Sequence, residues 1–182
     1  MIVTIPSTTP TLNNLVALIA QVSLNHFMIK DFGFGPLWNR NVEELKTPYI
    51  WLEEGQSKMT QGNMSMKTAE YTFTLYCMDR IQKDETNYQE ILSDTKFILD
   101  TIMTELDQHP LFVSLGLGYN KNQDIIYQPI YEETDYNTNG HSAEFTWRFA
   151  FRLTPCTNPI TYNLSRVYVL DGYWDDGYTD NE

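Results

Sequence analysis

His26, His109 and His141 are the only imidazoles in the chain, so any base acting near neutral pH through histidine comes from these three. Nucleophilic catalysis needs such a base within hydrogen-bond reach of a hydroxyl or thiol. No GxSxG, HExxH or Cys/His grouping surrounds any of them. His26 falls near the apolar stripe of a helix and reads as a core or boundary histidine. His109 sits at a helix end, where a cation suits the dipole, and His141 follows a turn glycine. A catalytic reading would require a deep pocket with convergent titratable groups around His26 or His141. Gly116-Leu-Gly118-Tyr-Asn-Lys121 starts like a dinucleotide loop but lacks the third glycine, and no Gly-Lys-Ser/Thr occurs. The carboxylate pairs Glu53-Glu54 and Glu132-Glu133 lie beside strand ends. Neighbours on a strand point to opposite faces, which makes them poor acid/base partners. The expectation is a chain that is not an enzyme and holds no cofactor or metal.

Surface chemistry remains. Phe32, Phe34 and Trp38 occupy the Gly-containing segment Asp31-Phe-Gly-Phe-Gly-Pro-Leu-Trp-Asn39, and Tyr173, Trp174 and Tyr178 occupy the end of the chain. These six aromatics either fold back onto their own domain or dock on neighbouring subunits, because aromatics dominate the centres of interfaces. The same C-terminal stretch carries Asp171, Asp175, Asp176, Asp180 and Glu182 and no base. As a calcium loop it fails: Tyr173 stands at position 3 and Asp176 where the turn glycine belongs. It reads as an extended acidic arm, ordered only against a partner.

The whole chain has 12 basic and 24 acidic residues, a net charge of −12. That charge repels phosphate backbones and anionic membranes, so specific nucleic-acid binding and membrane docking are not expected. Cys77 and Cys156 form no CxxC pattern and read as free thiols of a reducing compartment, although a single bridge between them stays open. No stretch approaches a membrane span, and Met1–Ser7 lacks the basic and apolar regions of a signal peptide. The expected setting is soluble and, where the chain is made, intracellular.

The elements that must carry these residues follow from periodicity. Leu12, Leu15, Val16, Ile19, Val22 and His26 make a helical stripe over 11–27. A loop is expected over 31–39, a short buried strand over 48–53, a turn or hairpin tip over 56–63 and a long alternating strand over 64–79. Tyr88, Ile91, Leu92, Thr95, Ile98, Leu99, Ile102 and Leu106 mark a second helix, with Thr86 and Gln89 in the form of a capping box and His109-Pro110 closing it. Two strands follow, over 124–132 and 144–154, the first pushed toward an edge or a bulge by Pro129. Residues 134–141 between them have turn chemistry, and 160–170 suit one more strand. The fold class is α+β: a mainly antiparallel sheet with two amphipathic helices on one face, in a domain over 1–170, plus the arm over 171–182.

In order and lengths of elements the chain resembles tailed-bacteriophage neck and tail ring proteins, especially tail terminators and tail-completion proteins of Bacteroidetes-infecting and crAss-like phages. The likeness runs through Val22-Ser-Leu-Asn-His-Phe27, Lys30-Asp-Phe-Gly-Phe-Gly35, Tyr71–Arg80 with the helix after it, and Phe145–Leu153. It implies a structural virion protein made in the host cytoplasm. Such a protein forms a hexameric or twelvefold ring with copies of itself against portal, neck or tail proteins. DNA would pass through the lumen without being bound, which an acidic lining suits. The rival expectation is a non-catalytic module for carbohydrate or calcium.

Overall fold

Thr11 caps the first helix: its hydroxyl oxygen accepts the Asn14 amide at 3.3 Å, satisfying a donor that a helix start leaves open. The computed structural model describes residues 11–61, 66–82, 86–110, 118–119, 124–131 and 137–152. Helix α1 (Leu12–Asn25) leads to strand β1 (Asp31–Phe34), a single 3-10 turn at Leu37–Asn39, and strands β2 (Tyr49–Gln61) and β3 (Met66–Arg80). Helix α2 (Tyr88–Gln108) is followed by β4 (Gly118–Tyr119), β5 (Ile126–Tyr131) and β6 (Thr138–Arg152).

The sheet is mixed and mainly antiparallel. β1 pairs parallel with β2, β2 antiparallel with β3, and β3 with β6 along their whole lengths. β6 uses its other edge twice, pairing Asn139–Glu144 with β5 and Trp147–Arg148 with β4, so the six strands fill five positions. The fold is therefore α+β, as its periodicity implies.

Register places Phe73 opposite Phe145, Tyr71 opposite Trp147 and Leu75 opposite Ala143, all on one face. Phe73 meets Trp147 edge-on with centroids 5.5 Å apart, and Phe145 lies 5.2 Å from Trp147. Each such ring pair adds about 0.5–1.5 kcal/mol to the area it buries. Leu15, Leu18, Ile19 and Val22 of α1 and Ile98, Leu99, Ile102 and Leu106 of α2 close over this face in one core. The opposite face splits in two. Leu37 and Leu45 from the segment before β2 pack on Tyr49, Trp51 and Met78, while Thr72, Thr146, Glu70 and Arg148 keep the rest polar.

Several expectations are corrected. Residues 31–34 are a strand, not loop: Gly33 is needed there because the Trp51 indole of the paired strand lies where its Cβ would be. Residues 56–61 continue β2 past an irregularity between Glu54 and Ser57, so Gly55 marks a bulge. They are polar because this half of the hairpin projects beyond the core, with 55–60 all exposed. Residues 138–141 already belong to β6, and the turn chemistry is spent at Asn137, whose φ is 44°. Gly118–Tyr119, expected in a loop, pairs with β6.

The helix cap falls on Asn87, one residue past Thr86. Thr86 Oγ1 donates to Gln82 Oε1, and Asn87 stands at the cap, holding the end of β3 by accepting the Gln82 amide and donating to the Arg80 carbonyl. His109 ends α2, and Pro129 sits in the outer strand β5. The arm, the expected 160–170 strand, Cys156 and Glu132-Glu133 lie outside the described residues.

Gly140 faces the Cys77 carbonyl so closely that an added Cβ would overlap it. Gly140→Ala is expected to cost about 1–3 kcal/mol or more by prising β6 from β3. Urea unfolding checks this; an unchanged midpoint would contradict the close approach.

Candidate functional site

The three aromatics of the 31–39 segment separate. Phe32 packs against the main core, the fold-back outcome, whereas Phe34 is 42% and Trp38 86% exposed. Strand pairing explains the split. Phe32 lies opposite Ile50 midway along the edge strand, and Phe34 opposite Leu52 at the point where the chain leaves β1. Gly35 then turns with φ 137°, a conformation glycine adopts without strain, and its carbonyl accepts the Trp51 indole N–H at 2.8 Å.

Trp38 is held over a shallow bowl of about 540 Å³ that Phe34, Pro36, Glu53, Glu54 and Thr74 also line. Glu53 fastens the bowl wall: one carboxylate oxygen accepts the Leu37 amide at 3.0 Å and the other the Tyr76 hydroxyl at 2.9 Å. Burial, with the Glu53 carboxylate beside it, pushes the Tyr76 phenol up to about 12, so it remains a donor throughout the physiological range. Glu53 is thus a positioning residue for the 3-10 turn, a role its neighbour Glu54 does not share. Nothing in its sequence context marked it. The signal available was only an acid directly after the apolar run Tyr49–Leu52.

A second opening lies between the C-terminal halves of the helices. Val22, His26, Phe27, Phe97, Ile102, Glu105 and His109 line a cleft of about 360 Å³. Phe27 is 86% and Phe97 57% exposed at its walls, outside the stripes that bury their helices. His26 stacks on Phe27 at 5.0 Å and accepts the Met28 amide on Nδ1 at 3.3 Å. Burial holds its imidazole below 6.5, so it is neutral with its proton on Nε2. The one nearby hydroxyl among the described lining residues, Thr101, donates to the Phe97 carbonyl. The cleft therefore offers binding groups, with no nucleophile poised on the histidine.

His141 belongs to a different cluster. Thr95 gives its proton to the Ile91 carbonyl at 2.7 Å and so accepts from His141 Nδ1 at 3.1 Å. Burial, then the Lys96 charge, lowers the His141 imidazole against the opposing pull of Asp100. Burial works to raise Asp100, but hydrogen bonds from Lys96 and Tyr127 outweigh it and hold the carboxyl low. Lys96 Nζ also stands 4.7 Å from the centre of the Tyr127 ring. These contacts tie α2 to β5 and β6.

Cys77 is a buried free thiol whose pKa burial raises, leaving it unreactive. Among the described residues no three His, Cys, Asp or Glu side chains converge as a metal site, and no helix is long and apolar enough to cross a membrane. Tyr173, Trp174, Tyr178 and the acids Asp171, Asp175, Asp176, Asp180 and Glu182 lie outside the described residues. No protein-family model matches the chain, and no curated protein matches it.

Because His26 and His141 are both held below 6.5, the unfolded chain binds more protons than the folded one just below that value. Stability is expected to fall as pH drops below about 6.5, with Asp100 adding a further loss in stronger acid. Urea midpoints across this range check it. The slope is expected to be shallower in His26→Phe, and an unchanged slope would contradict the buried neutral imidazole.

Proposed function

We propose that the chain is a structural ring subunit of a tailed-phage neck or tail, working through contacts with copies of itself and with adjacent portal, neck or tail proteins. The observation that carries this reading is Trp38, almost wholly in water on a turn whose backbone is held at Leu37 by the Glu53 acceptor and entered through Gly35. A large apolar ring carried on a backbone that is already held loses little backbone entropy when covered, and Trp is enriched at the energetic centres of interfaces.

Position supports the same reading. Phe34 and Trp38 sit at the β1 edge of the sheet, while β5 and β4 form the other edge. A patch at one edge that mates with a different patch on the next copy makes a head-to-tail contact, the kind that closes into rings. A net charge of −12 suits a ring around DNA, since it lets the duplex slide without adhering. On this reading the protein resides in the virion after synthesis in the host cytoplasm, and it uses no cofactor.

The bowl itself favours one second reading. Trp38 and Phe34 beside Glu53 and Glu54 also have the composition of a carbohydrate-binding surface, an aromatic platform with carboxylate acceptors.

Sedimentation velocity and negative-stain microscopy of the full chain at rising concentration separate the two. Closed oligomers are expected, with Trp38→Ala raising the concentration needed at least about tenfold, since central interface aromatics are worth 2 kcal/mol or more. A monomer at every concentration that glycans or calcium stabilise against heat would overturn the ring reading in favour of the module.

A further inference from the structure

β1 runs beside β2 only along 49–52, so over 53–61 the side of β2 turned away from β3 has no strand beside it among the described residues. The open backbone groups of such an edge pair with an added strand. Residues 55–60 of this edge are exposed, on the half of the hairpin that projects beyond the core. Its side chains select what can be added, because two rows of residues that cross the sheet end here.

On the polar face the row is Arg148, Glu70 and Lys58, in register across β6, β3 and β2. Arg148 Nε stands 2.9 Å from Glu70 Oε1, and Lys58 makes no hydrogen bond or ion pair among the described residues. The signs alternate along this row, so its next place suits an acid: opposite charges side by side on neighbouring strands attract, and like charges repel. On the core face the row is Phe149, Ala69 and Met59. Its inner two members are buried while Met59, at the edge, is 56% exposed, so the next place there suits an apolar side chain. Lys58 and Met59 are consecutive, so the added strand must carry an acid and an apolar residue side by side. In an antiparallel partner the apolar residue comes first and the acid second.

Leu170-Asp171 and Trp174-Asp175 in the acidic C-terminal stretch both have that order, and Trp174 brings the aromatic ring that a methionine sulfur favours. Net charge argues the same way. Copies of a chain carrying −12 repel one another, and an acid set beside an unpaired lysine makes one point of contact attractive. We propose that the open edge of β2 accepts residues 173–176 of a second copy as an antiparallel strand, with Trp174 against Met59 and Asp175 against Lys58. The proposal rests on the ring reading in taking the donor to be a second copy. One arm given to one edge by each copy is a head-to-tail contact, which a ring requires.

The test uses the full chain carrying Met59→p-benzoylphenylalanine, a photo-crosslinking substitution at an exposed position, prepared unlabelled and ¹⁵N-labelled and mixed in equal parts before irradiation. Peptide mass spectrometry is expected to find position 59 joined to residues 173–176, with light-to-heavy pairs at the statistical share of the mixture. Links confined to one isotope, links only to other residues, or no links at all overturn the proposal. Sedimentation velocity supplies the second readout. Lys58→Glu is expected to raise the concentration needed for closed oligomers about fivefold or more, since a cross-strand charge pair is worth up to that factor. Adding Asp175→Lys to it is expected to restore the original concentration; an unaltered concentration in the single variant, or no recovery in the double one, counts against the proposal. Closed oligomers that form without these links overturn the docking and leave the ring reading standing, whereas a monomer at every concentration overturns both.

Discussion

One face of the sheet is too aromatic to stand in water, and that governs nearly everything else in the molecule. Phe73, Phe145, Trp147 and Phe149 project from two strands paired along their entire length. Removing any one to Ala in such a core typically costs about 3–5 kcal/mol, a large part of a domain's net stability. Covering them requires a broad apolar lid, which α1 and α2 provide together. The helices therefore run over the same face, and the cleft between their ends follows from how two cylinders meet over a curved surface.

The second face obeys a weaker version of the same demand. Only Tyr49, Trp51 and Met78 need cover there, and the segment between β1 and β2 supplies it through Leu37 and Leu45. Its path is pinned at Gly33 by the overlying indole, at Gly35 by the indole N–H and at Leu37 by Glu53. Trp38 is the next residue along, so its exposure is imposed by contacts on either side and is no accident of a loose loop. This is how burial on one surface leaves Trp38 standing out on another.

Both helices and the long strands β3 and β6 were readable from spacing alone, because each has a face whose periodicity matches its element. β1 was not, since two glycines and a proline within nine residues look like loop. What makes it a strand is Trp51, a residue 18 positions from Gly33 in sequence and opposite it in register. The outer half of β2 was hidden for the converse reason: having no core to meet, it shows no apolar alternation. The cap sits at Asn87 rather than Thr86 because the Asn87 amide has the end of β3 within reach, a tertiary contact no local motif encodes. Of the candidate interface aromatics, Phe34 and Trp38 stand on the surface while Phe32 serves the core. A seven-residue stretch of sequence cannot separate these roles without the register. His26 was readable as a buried histidine.

The functional account reduces to the claim that Trp38 is covered by another protein molecule when the chain is at work. Hydroxyl-radical footprinting of native particles or assembled material against the isolated chain measures this directly, with free tryptophan added to both samples as the dose reference. Trp38 is expected to lose most of its oxidation on assembly relative to that reference. Equal oxidation of Trp38 in the isolated and native states would contradict the account.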